Sequence, residues 1–282
     1  MIIFKHSKDL KSHLKKIKAN SVSVGFVPTM GALHAGHLSL MEKSKSETGV
    51  TVCSIYVNPV QFNNPDDYKN YPITLDADIL LLEKSNCDIL FLPDDKEIYP
   101  DEASKHQHFD LGYLETVLEG EYRPGHFQGV CMVVNKLLNI VEPTHLFLGQ
   151  KDFQQSLVIK KLAGYKHKKL KIIIVPTLRE QGGLAMSSRN MRLNDEEKKM
   201  ATNLYKTLSH IKDEFHQANF HDLKKKAVSR LKRLGFIIDY LEMAKAANLE
   251  IIDEAPKSKG IILLIAAYLN NVRLIDNLII TK

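Results

Sequence analysis

Through the first two thirds of the chain, short apolar runs rich in β-branched residues alternate with segments whose apolar residues recur every three or four positions. The runs predict strands over 22–27 (VSVGFV), 51–57 (TVCSIYV), 88–92 (DILFL), 145–148 (HLFL) and 171–175 (KIIIV). Between them, HLSLMEKSKSE, TLDADILLLEKS, GVCMVVNKLLNIV and DFQQSLVIKKLAG carry helical spacing. Strand and helix in turn predict βαβ units on a parallel sheet, an α/β fold with ligands at the carboxyl ends of the strands. After Pro176 the pattern changes to a Gly-rich loop, two helical runs from 194 and near 221–234, and three strand-like pieces, IIDYLEMA, GIILLIAAYL and VRLIDNLII. Helices followed by strands predict a separate α+β unit, so the expected domains are 1–176 and 177–282.

Composition adds little to this and excludes more than it selects. With 282 residues the chain can bury a real core, and 44% apolar with 26% charged residues rules out disordered and fibrous classes. A net charge of +6 invites nucleic acid as a partner. The lysines, however, come in short groups such as KKIK (15–18) and KKK (224–226), broken by acids such as NDEEKK, with no aromatic-studded basic stripe. A solvated surface and no nucleic-acid partner are expected. The longest apolar run, 261–269, is too short to span a bilayer, and the first residues carry no leader-like apolar stretch. Cys53, Cys87 and Cys131 sit in apolar stretches without a CxxC pair. Buried free thiols, a cytoplasmic location and no membrane partner follow as expectations.

The segment PTMGALHAGHLSL (28–40) leaves the first predicted strand and places His34 and His37 three apart at the start of a helix. There the first-turn N–H groups and the positive end of the helix dipole favour a polyphosphate, and two imidazoles add hydrogen bonds to it. Gly36 would let phosphates approach the backbone. Zinc ligation is the alternative, but it needs a third matched ligand and none is evident.

HAGH after a first strand, with MSSRN (186–190) in a later loop, resembles the HIGH-motif nucleotidyltransferases. Within them the chain resembles the pantoate–β-alanine ligase family through FVPTMGALHAGHLSL, YVNPVQFNNPDDYKNYP, EYRPGHFQGVCMVVNKLLNIV, LFLGQKDFQQ, LAMSSRN and the terminal RLIDN. The resemblance implies a Rossmann-like nucleotidyltransferase domain, 1–176, that binds ATP and pantoate. It implies a smaller α+β lid, 177–282, carrying the MSSRN loop. The implied reaction condenses pantoate with β-alanine through a pantoyl adenylate, with ATP as substrate, Mg²⁺ on its phosphates, and a homodimer as the assembly.

Residue by residue, the resemblance assigns the nucleotide to Met30, Gly31, Ala32, Leu33, His34, Ala35, Gly36 and His37. It adds Gly149, Gln150, Lys151 and Asp152, a backbone contact at Leu178, and Met186, Ser187, Ser188 and Arg189. His34, His37 and Lys151 are the implied catalytic groups, and Gly182 and Gly183 are candidate hinges. Gln61, Gln155, Asn58 and Arg123 fall on substrate positions. Taken alone, NPVQFNNPDD reads as an ordinary turn and Arg123 as a partner of Glu121. No resident metal is assigned, Asp76 and Asp78 included. Three positions depart from the family pattern: Ala32 where Asn is frequent, Gly182 for Asp, and Asn270 for Gly. A sister adenylyltransferase acting on a phosphorylated acceptor would need extra cations where Gln61 and Gln155 are neutral.

Overall fold

The computed structural model describes residues 1–101, 106–214, 219–254 and 260–280, which form two compact units. The first comprises Met1–Gln150 and Gln154–Pro176; the second comprises Lys151–Phe153 and Thr177–Lys282. Lys151–Phe153 therefore pack with the C-terminal unit although they lie inside the expected first domain.

In the first unit the chain runs β1 (Ile2–Phe4), α1 (Ser7–Ala19), β2 (Val24–Thr29), α2 (Ala35–Glu47), β3 (Val50–Ile55), α3 (Pro65–Lys69) and α4 (Leu75–Lys84). It continues through β4 (Ile89–Phe91), α5 (Asp95–Ile98), α6 (Glu119–Tyr122), α7 (His126–Val141), β5 (His145–Gly149), α8 (Phe153–Lys166) and β6 (Lys171–Val175). The six strands form one parallel sheet in the order β1-β4-β3-β2-β5-β6. Alternate residues of the central strands feed two cores. Val24, Phe26, Val52, Ile89 and Phe91 pack with Leu10 and Leu14 of α1 and with α7. Val27, Cys53 and Leu90 pack with Leu40 and Met41 of α2 and Leu82 of α4. Burial on both faces is why these strands read as continuous apolar runs.

The sequence pattern left β1 and α1 unassigned. Three residues are too few for a periodic signal, and in α1 the buried Leu10 and Leu14 stand among lysines. The strand order reverses between β2 and β5, so their carboxyl ends flank the topological switch point. HAGH leaves β2 there, and Gly149–Gln150 leaves β5.

The second unit is α9 (Asp195–Glu214), α10 (Phe220–Arg233) and an antiparallel sheet of β7 (Phe236–Lys245), β8 (Ile261–Leu269) and β9 (Val272–Ile280) in the order β7-β8-β9. Leu204, Leu208 and Ile211 of α9 and Leu223 and Leu231 of α10 share a core with Leu241, Leu263 and Ile265 of the sheet. Asn194 and Glu197 close α9 with reciprocal bonds of 2.9 and 2.8 Å. The three cysteines are free and buried; desolvation pushes the Cys87 thiol up to about 11 and Cys131 up to about 12. Among the described residues no helix is long and apolar enough to cross a membrane.

Candidate active site

Beyond β2 the backbone enters the left-handed region at Gly31 (φ +79°) and Ala32 (φ +48°) before α2 begins. A buried carboxylate holds this turn: Asp78 of α4 accepts from Ala32 N at 2.9 Å and from Leu33 N at 2.7 Å. These two N–H groups, which precede the helix, are thus used internally. The first-turn N–H groups of Ala35 and Gly36 remain the helix's own anion-facing donors. Asp76 and Asp78, the pair considered for metal, divide: Asp78 is 1% exposed and anchors backbone.

His34 is the N-cap of α2 and His37 its third residue, with ring centroids 4.0 Å apart. The His34 N–H donates to His37 Nδ1 at 3.3 Å, so a neutral His37 carries its proton on Nε2. The two-histidine spacing therefore fixes a tautomer as well as a direction.

A second network gathers Met30, Asn58, Gln61 and Arg123. Gln61 Nε2 donates to Met30 Sδ at 2.9 Å, and Asn58 Nδ2 donates to Gln61 Oε1 at 3.3 Å and to Gly129 O at 3.1 Å. Tyr99, its hydroxyl pKa pushed up by burial, donates to Asn58 Oδ1 at 2.9 Å. His126 Nδ1 donates to the Gln61 carbonyl at 2.8 Å, while Arg123 Nη1 donates to His126 Nε2 at 3.0 Å. Since Arg only donates, this pattern requires the neutral Nδ1–H tautomer of His126. Gly129 is needed where it is: a Cβ there would sit 2.6 Å from Gln61 Cα. Arg123 pairs with Glu119 at 3.6 Å, a turn away on α6. Gln155, on α8, is half-buried, whereas its neighbour Gln154 is buried and donates to the Leu114 and Val117 carbonyls. Tyr99, Glu119 and His126 escaped the sequence reading, although His126 stands inside the RPGHF motif.

In the second unit, Leu178–Met186 folds into a hairpin, with Met186 N donating to Leu178 O at 3.0 Å and Glu180 N to Leu184 O at 2.8 Å. Gly182 (φ +91°) and Gly183 (φ +100°) form its tight turn, and a Cβ on Gly183 would meet the Tyr205 ring at 2.4 Å. These glycines set a turn and a close packing. The hairpin delivers Met186–Arg189, where Ser187 Oγ accepts from Arg189 N at 3.3 Å and Ser188 is 6% exposed. Lys151 lies in the single turn Gln150–Asp152, its Nζ 3.5 Å from Asp152 Oδ1. Leu178 is exposed. Among the described residues, no group of three or more His, Cys, Asp or Glu could hold a metal ion.

A sequence model described as Pantoate-beta-alanine ligase matches residues 2–279, nearly the whole chain. The chain belongs to the pantoate–β-alanine ligase family. This ligase is 45% identical over 285 residues to a pantothenate synthetase of Cytophaga hutchinsonii, covering 99% of each chain. It is also similar to the crystal structure of pantothenate synthetase from Thermus thermophilus, with 35% identity, full coverage of both chains and a TM-score of 0.92. A Francisella tularensis pantoate–β-alanine ligase, solved in complex with "Beta-gamma ATP and Beta-alanine", aligns at 38% identity and a TM-score of 0.81, covering 99% of this chain and 97% of that one.

Proposed function

We propose that this ligase condenses pantoate with β-alanine in two steps at the expense of ATP. A pantoate carboxylate oxygen attacks the α-phosphorus, the bond to the β-phosphate bridge breaks, and pyrophosphate leaves a pantoyl adenylate. The amine of β-alanine then attacks the acyl carbon; an amide forms, the acyl C–O bond of the mixed anhydride breaks, AMP departs with that oxygen, and the nitrogen loses a proton to solvent. The observation that carries the reading is the pair of built networks, His34/His37 and Met30/Asn58/Gln61, on the loops beyond β2 and β3 in a chain of this family.

The first step needs no general base, because a carboxylate is already ionised near neutral pH. It needs in-line placement and somewhere for charge to go as pyrophosphate leaves. His37 Nε2–H serves that charge; His34 and the first turn of α2 hold the phosphates. Gly31–Leu33 and Gly149–Asp152 frame the nucleotide, with Leu178 giving a backbone contact. Lys151 follows the phosphate charge as a point cation, and Ser187, Ser188 and the Arg189 fork of the Met186–Arg189 segment serve phosphate oxygens. Gln61 and Gln155 hold the hydroxyls and carboxylate of pantoate, with Asn58 and Arg123 fixing Gln61 from behind. Mg²⁺ would enter as part of the ATP complex, where it would neutralise phosphate charge. The assembly we propose is a homodimer, and light scattering at the mass of one chain would overturn that part alone.

The test is exchange of labelled pyrophosphate into ATP without β-alanine. Exchange that requires pantoate is expected. Exchange with a phosphorylated acceptor in its place would move the protein to the sister adenylyltransferases and leave Gln61 and Gln155 as structural residues.

A further inference from the structure

β9 carries two consecutive buried polar residues, Asp276 and Asn277, 4% and 2% exposed, in a strand otherwise made mostly of aliphatic residues. Neighbours on a strand point to opposite faces, so both faces of β9 are polar at this one step. Burying such groups is costly unless each atom is paired, and here the pairing is directed at two specific places. Asp276 takes a two-pronged grip from Arg179, Nη1 to Oδ2 at 2.7 Å and Nη2 to Oδ1 at 2.9 Å. Arg179 also donates to Gly183 O at 2.9 Å and to Asn277 O at 3.3 Å, and its guanidinium lies 3.9 Å over the Tyr205 ring. The hairpin that ends in Met186–Arg189 is thereby tied at its base. Asn277 Nδ2 in turn donates to the Lys151 carbonyl at 2.9 Å, and the Asn277 N–H donates to Asp276 Oδ1 at 2.7 Å.

One dipeptide of the last strand thus grips the backbone that carries Lys151 and the side chain that anchors the serine–arginine loop. We infer that Asp276 and Asn277 are positioning residues for phosphate chemistry: Asn277 sets where Lys151 starts from, and Asp276 sets the loop through Arg179. The inference rests on the phosphate roles proposed above for Lys151 and Met186–Arg189. General stability would not require this arrangement, since well-packed apolar residues stabilise a buried strand as well as an ion pair and an amide do. What apolar residues cannot do is fix a carbonyl 126 positions away in the chain.

A double-mutant cycle tests it, using pantoate-dependent pyrophosphate exchange and the full-length protein. Asn277→Asp keeps the side chain's shape but removes the donor to Lys151; Asn277→Ala removes the side chain altogether. Each is expected to lower the exchange kcat about 10-fold and raise the KM for ATP, leaving the KM for pantoate unchanged. Placed on Lys151→Ala, neither is expected to slow exchange further, because a residue that acts through Lys151 has nothing left to position. An unchanged kcat, equal effects on both KM values, or losses that multiply in the double variants would overturn the inference. Lys151→Ala alone separates the two readings. If it exchanges at the parent rate, the proposed role of Lys151 fails; if it is slow while the Asn277 variants are not, only the positioning role fails. Melting temperatures identify loss by unfolding, and should Asn277→Ala prove unstable, the isosteric Asn277→Asp carries the test.

Discussion

The two segments proposed to handle phosphate are anchored in opposite ways. Met30–His37 is held by a carboxylate whose partners are neutral donors, Asp78 accepting from Ala32 N, Leu33 N and the Thr74 hydroxyl. The hairpin leading to Met186–Arg189 is held by a charge on its own side chain, Arg179, clamped to Asp276. In the first case the anchor fixes backbone conformation and takes up none of the segment's own side chains. In the second it consumes a cation and fixes the hairpin as a unit. The difference teaches where each segment is fragile: the first in the geometry of a turn, the second in the electrostatics of one buried pair.

The largest effect is expected where the second anchor is broken. Arg179→Met leaves Asp276 buried without its cation, and breaking such a pair costs about 3 kcal/mol or more, measured by urea unfolding at pH 8. The pH dependence carries the sign. Burial already pushes the Asp276 carboxyl up, with Arg179 opposing it, so removing Arg179 raises it further. A carboxyl whose folded pKa lies above its unfolded value stabilises the fold when protonated and loses that contribution as pH rises through the folded pKa. The deficit of Arg179→Met is therefore expected to shrink from pH 8 to pH 5. A deficit independent of pH would mean that the lost bond to Gly183 O and the stacking on Tyr205 matter more than the charge.

Next in size is Asp78→Ala, which strands two buried N–H groups at about 1–3 kcal/mol each. A loss of about 2–4 kcal/mol is expected, with a fall in pyrophosphate exchange of about 100-fold as the turn before His34 relaxes. Asp78→Asn sharpens the comparison, because its single oxygen can serve one of the two donors, and an intermediate loss is expected. Stability near the parent value in Asp78→Ala would show the turn to be held by its apolar neighbours, and the contrast between the two segments would collapse.

The first anchor and the second were not equally readable from the sequence, for a physical reason. His34 and His37 announce themselves because strand, turn and helix start are local, and the i, i+3 spacing survives translation into structure. Asp78 reads as one more acid in the first turn of a helix, where acids are favoured for the dipole alone; nothing local says that it faces a turn 45 positions earlier. Arg179 and Asp276 are 97 positions apart, and no period in one sequence pairs them. The same limit hid Tyr99 and His126 behind Asn58 and Gln61. Gln61 itself was visible through family motifs, whereas its supports became legible only once β3 and α7 were adjacent. The parallel sheet was legible because its strands are buried on both faces; β1 was not, being a three-residue edge strand.

The smallest expected effect concerns the three departures from the family pattern, all of which fall at positive φ: Ala32 at +48°, Gly182 at +91° and Asn270 at +50°. Gly and Asn suit the left-handed region, so two of the three cost little. Asn270 even gains a bond to Glu197. Ala32 is the odd one, since a side chain in that region costs about 1–2 kcal/mol. Ala32→Gly removes that strain but adds about 0.5–1 kcal/mol of unfolded-chain entropy and gives up about 0.8 kcal/mol from a methyl that is 2% exposed. The opposing effects nearly cancel, and a stability change within about 0.5 kcal/mol of zero is expected from urea unfolding. Stabilisation beyond about 1 kcal/mol would mean that Asp78 holds Ala32 against more strain than its φ implies. A loss of that size would mean that the Ala32 methyl, packed in the turn, shares the anchoring with Asp78, which would bring the first segment closer in kind to the clamped second one.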